Sequence, residues 1–307
     1  MTSISARQES ATPKPTDRLG LSEPVGMAMF LVLAAALVLV FFRWMLKQND
    51  FSVKYSEDWG HAWFIPFIAG FLLWRQRDRI ARTPREVFWP GILPVIVGIA
   101  CYFFFIIVIP NHMLQGGSMI LTIFGLALML LGPSMMTLLF PAIAYLGFAV
   151  TISQQVMEKA TFALKLIASA GAGFVLEVLG ALFRFDVVVN GNLIYVDGNP
   201  MNVADACSGM RTVVAFLALA AAVALLSCPY WWQRVALVML AVPVAIVLNI
   251  VRVVILGLLM QVDPELASGG AHTLIGTLLL VPGLGAFMLV VWALNRAVID
   301  ETAEVAT

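Results

Sequence analysis

The hydrophobic positions of this chain fall in long unbroken runs, separated by short polar stretches. Eight runs stand out, at about Val25–Met45, Trp59–Trp74, Phe88–Ile109, Ser118–Leu131, Met135–Ile152, Ser208–Leu226, Val235–Met260 and Ala271–Leu294. A helix crossing a bilayer needs roughly 20 mainly apolar residues. The pattern therefore predicts an all-α polytopic membrane bundle of about eight transmembrane helices, the second, fourth and fifth of them short. The period-2 alternation of a membrane barrel is missing.

Composition sharpens this picture. Hydrophobic residues make up 61% of the 307 and charged residues 12%. A soluble domain carries roughly 45–50% and about 25%. An excess of this size cannot be hidden in one core, because a folded chain always presents a large surface to its solvent. Lipid must be much of that solvent. A soluble enzyme, a disordered chain and a disulfide scaffold are excluded. Lys and Arg total 18 and so do Asp and Glu, which makes no case for nucleic acid. Three cysteines, Cys101, Cys207 and Cys228, form neither a disulfide framework nor a zinc spacing. The polar leader before Val25 and the long run behind it do not have the form of a cleavable signal peptide.

Basic loops set the expected orientation. Arg75, Arg77, Arg79, Arg82 and Arg85 crowd the loop after the second run and place it inside, together with Arg7, Lys14, Arg18, Arg234 and Arg296. Pro110–Gly117 has no Lys or Arg and is expected outside. The alternation closes if Gln154–Phe183, which carries Glu158, Lys159, Lys165 and Glu177, lies in the interface; the alternative is a ninth crossing. The expected organisation is a cytoplasmic leader (1–24), a five-helix membrane region (25–152), an interfacial helix with an external β-hairpin (153–206), a three-helix catalytic region (207–294) and a cytoplasmic tail (295–307).

The hairpin rests on Asp186–Val189 and Leu193–Val196, which flank Asn190-Gly191-Asn192. β-branched residues around Asn-Gly are a hairpin signature. Asp197-Gly198-Asn199-Pro200 reads as a second turn. Such a ribbon is either a plain connector or an edge that receives an extended peptide by strand addition.

Three residues carry the candidate chemistry. Cys207 lies in Asp205-Ala206-Cys207-Ser208-Gly209-Met210-Arg211, just before an unbroken apolar helix. The free N–H groups and dipole of a helix N-terminus favour thiolate, and Arg211, four residues on, adds positive charge on the same face. Arg252, in Asn249-Ile250-Val251-Arg252, lies within an apolar run, where an Arg costs several kcal/mol and is usually functional or paired. It is about 26 Å along the helix from Val235, close to the outer face, where it could also snorkel to headgroups. Asn249 can supply amide hydrogen bonds. His272 opens the last run, with Gly276 a turn later. All three residues are expected at one depth on three consecutive helices. Cys, His and Arg are then nucleophile, acid/base and charge stabiliser. Asp58-Trp59-Gly60-His61 stands at the same outer level, so His61 is a candidate supporting group. His112 is alone in an outer loop. No His-Glu-x-x-His, P-loop or G-x-S-x-G is present, and neither metal nor cofactor is expected.

At these residues the sequence resembles the exosortase/archaeosortase family, from Asp58-Trp59-Gly60-His61 to the last helix. Ala206-Cys207-Ser208-Gly209-Met210-Arg211, Asn249-Ile250-Val251-Arg252 and His272 with Gly276 occur in that family's order. Gly60 and Ala62 depart from the Ser-His-Gly pattern common near the second helix. The resemblance implies Cys207 as nucleophile, His272 as acid/base and Arg252 as the essential cation. It implies protein substrates too: secreted proteins with a C-terminal sorting signal of the PEP-CTERM type, in a setting of exopolysaccharide and cell-surface export at the bacterial inner membrane. Two other readings stand beside it. One is a multi-pass transporter using Arg252, which the lack of repeats and of acidic residues in the apolar runs disfavours. The other is an intramembrane serine protease using Ser208 and His272.

Overall fold

The apolar runs fold as helices. A computed structural model describes residues 24–55, 59–203, 209–228, 230–262, 278 and 280–304. In chain order they form α1 (Pro24–Lys54), a 3-10 turn (Gly60–Trp63), α2 (Phe64–Arg75), α3 (Arg77–Arg82), a second 3-10 turn (Trp89–Gly91), α4 (Ile92–Ile107) and α5 (His112–Tyr145). A third 3-10 turn (Leu146–Ala149) leads to α6 (Gln154–Phe183), then to strands β1 (Val187–Asn190), β2 (Leu193–Val196) and β3 (Asn199–Asn202), and finally to α7 (Gly209–Ser227), α8 (Trp231–Met260) and α9 (Leu280–Glu304). Among the described residues, five helical segments are long and apolar enough to cross a membrane: Ala28–Lys54, Trp89–Ile107, His112–Ala149, Gln154–Phe183 and Trp231–Met260. Val213–Ser227 and Val281–Ala293 are shorter apolar helices. The protein is thus a mostly helical membrane protein with a small sheet.

The chain divides into two units, Met1–Leu46 with Leu73–Pro110 and Leu114–Ala144, and Lys47–Leu72 with Asn111–Met113 and Tyr145–Thr307. In the first, Phe41 and Tyr102 pack with ring centroids 4.4 Å apart and planes tilted by 54°. α5 breaks at Gly132, whose φ of 81° and ψ of 170° are not helical. This φ favours glycine, and a Cβ there would lie 2.8 Å from the Glu86 carbonyl oxygen. Pro133 follows and disfavours helical backbone at the residue before it. The break is a reversal. At the start of α5, His112 Nε2 lies 3.0 Å from Gln48 Oε1. Past its end, the Thr151 backbone N–H and hydroxyl both donate to the same oxygen at 3.3 Å. The fourth and fifth runs are therefore the two arms of one broken helix.

The second unit is built on α8. Ala224 and Ala220 of α7 share a core with Leu237 and Ala241, and Phe216 and Val213 share one with Ala245. The two helices run antiparallel. α9 lies along the same helix: Phe287 and Val291 join the Leu237–Ala241 core, and Gly283 approaches Leu248 and Phe216. α6 packs along the second half of α8 through small residues, Gly171 against Ile250 and Leu176 against Gly257. Its length and composition allow it to cross a bilayer, so the interfacial placement expected of it is not demanded by either. Both placements leave the sheet at the same end of α8. A Cβ at Gly257 would meet Leu176 Cδ1 at 2.8 Å. Gly257→Val should therefore destabilise the protein by about 1–3 kcal/mol, read as a lower unfolding temperature in detergent.

The sheet differs from the expected hairpin. It has three antiparallel strands in the order β1-β2-β3. The first turn is centred on Gly191-Asn192, with Asn190 paired to Leu193, one residue later than Asn-Gly suggested. Gly191, at φ 61°, takes the first central position, as a type II′ turn requires. Asp197 and Gly198, both at positive φ, make the second turn. The third strand contains Pro200, a residue that normally argues against a strand but is tolerated on an edge. Ile194, Val196, Met201 and Val203 form one core with Ala168, Ala172 and Leu176 of α6 and Val253, Leu256 and Met260 of α8. The Ser169 hydroxyl donates to the Gly191 carbonyl at 2.7 Å and pins the hairpin tip to α6.

Candidate active site

α8 carries the described centre of the site. Its buried face steps in fours through Leu237, Ala241, Ala245, Asn249 and Val253, the spacing that keeps side chains on one face. Asn249 replaces a small apolar residue in this row and is only 7% exposed. Its Oδ1 is buried and accepts no hydrogen bond among the described residues. An open buried acceptor costs about 1–3 kcal/mol. Arg252, half-buried, is one turn on. Replacing an unsatisfied polar group by an apolar one of similar shape is nearly neutral or stabilising. Asn249→Leu should thus leave the unfolding temperature unchanged or raise it, while lowering activity. A marked loss of stability would show that the oxygen is engaged in the folded protein.

Two helices and the sheet run along α8 toward the segment that holds these two residues. The α7 residues 224, 220 and 216 face α8 residues 237, 241 and 245 in equal four-residue steps. Continued by two steps, the same register brings Gly209, the first residue of α7, level with Asn249–Val253. On the other side, Gly283 lies against Leu248, so Leu280 of α9 is level with the same turn of α8. From the sheet, Met201 and Val203 pack against the adjoining Val253, Leu256 and Met260.

Of the residues singled out in the sequence, Cys207, Asp205, Ser208 and His272 lie outside the described residues. Arg211 stands in the first turn of α7, with its side chain outside the described part. His61 sits in the 3-10 turn Gly60–Trp63, which packs against Leu146–Ala149. Its ring lies 5.8 Å from that of buried Trp59. His112, read as an isolated loop residue, instead starts α5 and belongs to the polar cluster around Gln48, with Ser52 receiving a hydrogen bond from Gln48 Nε2 at 3.3 Å. Gln48 is 64 residues away in sequence, so no local pattern could reveal the pairing.

The other cysteines fit an inert role. Cys228, in the turn between α7 and α8, is 3% exposed. Burial pushes its thiol above the usual value, against a smaller opposing effect of Arg234. The Arg234 Nε–H donates to the Cys228 carbonyl at 2.9 Å and caps the end of α7.

The fold defines an integral membrane protein with a small sheet packed on a long apolar helix that carries Asn249 and Arg252. The family model of the transmembrane exosortases (Exosortase_EpsH) matches residues 51–292, and the chain belongs to that family. Members are in general cysteine-type transpeptidases that act on proteins bearing sorting signals. Neither the transporter nor the serine-protease reading gains support from this match. No curated protein and no solved structure matches the chain.

Proposed function

We propose that this exosortase is a cysteine transpeptidase or protease that cleaves C-terminal sorting signals of exported proteins at the outer face of the bacterial inner membrane. The reading is supported by α7 and α9, which both run along α8 toward the turn that holds Arg252. Cys207 precedes Gly209 of α7 by two residues, and His272 precedes Leu280 of α9 by eight.

The chemistry follows from these groups. The Cys207 thiolate attacks the scissile carbonyl, and the oxyanion that forms is stabilised by the Arg252 guanidinium. The C–N bond breaks as His272 protonates the departing amine, leaving a thioester on Cys207. His272 then takes a proton from water or an acceptor amine, which attacks the thioester and releases the thiolate. Asn249 offers an acceptor to a substrate N–H beside this centre. Arg211, four residues after Cys207, supports its thiolate, while Asp205 and His61 are supporting polar groups of the site.

Arg234 and Arg296, toward the other ends of α8 and α9, support an outer position for the site. Reporter fusions at Gly198 and at Arg82 should consequently report opposite sides of the membrane, Gly198 the outer one. A cytoplasmic report from Gly198 would put the site on the wrong side for exported substrates. Ser208→Ala should retain cleavage of a co-expressed exported reporter with a C-terminal tail of extended stretch, apolar helix and basic end. Loss of cleavage there, with Cys207→Ala active, would transfer the nucleophile to Ser208.

A further inference from the structure

The two edges of the sheet are not equivalent. β1 pairs with β2 so that Val187 faces Val196 and Asn190 faces Leu193. The Asp197 N–H donates to the Asp186 carbonyl at 2.9 Å, which sets the phase of the ladder. Antiparallel pairs alternate between bonded and non-bonded positions. Asp186, Val188 and Asn190 therefore turn their backbone groups toward β2, and Val187 and Val189 turn theirs outward. On the other edge, the Val203 N–H donates to the Asn192 carbonyl at 2.9 Å. By the same alternation, Pro200 and Asn202 point outward from β3. Pro200 has no N–H, so that edge cannot offer a regular ladder. The β1 edge can. Among the described residues, nothing bonds the outward N–H and C=O groups of Val187 and Val189.

This edge is short and bounded. Exposed Arg184 and Asp186 stand before it, and the Gly191 turn ends it. Charges and shortness are devices that keep an edge from open-ended pairing. Two outward residues offer two donors and two acceptors, enough for a partner of about three to five residues at roughly 3.4 Å per residue. Val187 and Val189 turn their side chains down onto α6 and the buried core, while Val188, 52% exposed, points to the open face. A partner residue opposite Val188 thus meets an apolar neighbour. The sheet also shares its core with Val253 and Leu256, directly after Arg252, and its last strand runs through Val203 toward Cys207.

We infer that the β1 edge docks a short extended segment of the substrate protein by strand addition, main chain to main chain, and holds that segment for the site. The inference rests on the proposed cleavage of tailed exported proteins. Recognition through Val187 and Val189 fixes strand direction and register, and the side chains around Val188 select among sequences.

Photo-crosslinking in the full-length membrane protein tests this. A photoreactive amino acid is placed at Val188, or separately at Pro200, in the Cys207→Ala background, with the exported tailed reporter co-expressed. The expected result is a reporter adduct at position 188 and none at position 200. In the cleaving protein, Val187→Pro removes one outward donor while leaving the β2 ladder intact. It should lower cleavage about threefold to tenfold, the worth of one hydrogen bond, whereas Val187→Ile keeps the donor and should cleave more than Val187→Pro. No adduct at 188, equal adducts at both positions, or unchanged cleavage by Val187→Pro, each with Cys207-dependent cleavage intact, overturns the docking edge. An adduct between two copies of the chain at 188 overturns it too and makes the edge a self-association surface. If the reporter is never cleaved in a Cys207-dependent way, the proposed function fails first, and the inference fails with it.

Discussion

Cys207→Ala is expected to abolish cleavage of a tailed exported reporter while the protein accumulates in the membrane at its normal level. The substitution removes one sulfur two residues before Gly209, and α7 is held against α8 by Phe216, Ala220 and Ala224. Stability should be nearly unaffected. Catalysis should not survive, because nucleophilic catalysis divides one difficult step into two, and no intermediate can form without the sulfur. Cys207→Ser keeps the shape but loses the acidity. A helix N-terminus can draw a thiol down from about 8.5 toward roughly 3.5–7.5, whereas a hydroxyl stays protonated at neutral pH. Cleavage by the Ser variant should be lower by several orders of magnitude. The same contrast separates Cys207 from Cys228. A small alkylating reagent should label Cys207 quickly near neutral pH and leave Cys228 unmodified, because Cys228 is 3% exposed and burial raises its thiol. Full processing by an enzyme with Cys207 blocked would remove the thiolate from the mechanism.

Much of the architecture was legible in the order of the residues, for a physical reason. Long apolar runs can be satisfied in lipid only as helices, which bond their own backbone internally. The described parts of the runs are accordingly mostly helical. The first helix reaches Lys54, nine residues beyond its apolar run. What periodicity could not show was the reversal at Gly132, visible only when His112 and Thr151 meet at Gln48. Nor could it show a third strand through Pro200, because edge position, not composition, makes that proline acceptable. Of the site, Arg252 announced itself by the cost of its charge in an apolar run. Asn249 could be read as helix glue just as well. Its distinction is an acceptor buried without a partner, and burial exists only in three dimensions.

Arg252→Lys is expected to cleave poorly despite keeping the charge, and Arg252→Ala to do worse. Arg presents a rigid planar fork of donors, whereas Lys presents a compact, strongly hydrated point charge on a flexible stem. If the guanidinium fixes a developing oxyanion, geometry decides the rate, and removing one oxyanion donor costs on the order of 10²–10³ in rate. The surroundings favour this view over a residue reaching for headgroups. Arg252 is half-buried, one turn from buried Asn249 and next to Val253, which is 0% exposed in the core shared by α6, α8 and the sheet. A side chain held there loses little freedom on engaging a substrate. Both variants should still accumulate, since removal of a costly cation from an apolar helix need not destabilise the bundle. The measurement is reporter cleavage at matched protein level, with Asn249→Leu run alongside. Combined Asn249→Leu and Arg252→Lys should then lose less than the product of the single losses, because residues serving one group couple rather than add. Equal cleavage by Arg252→Lys and the unmodified protein would reduce Arg252 to a membrane anchor and leave Cys207 and His272 to carry the chemistry as a dyad.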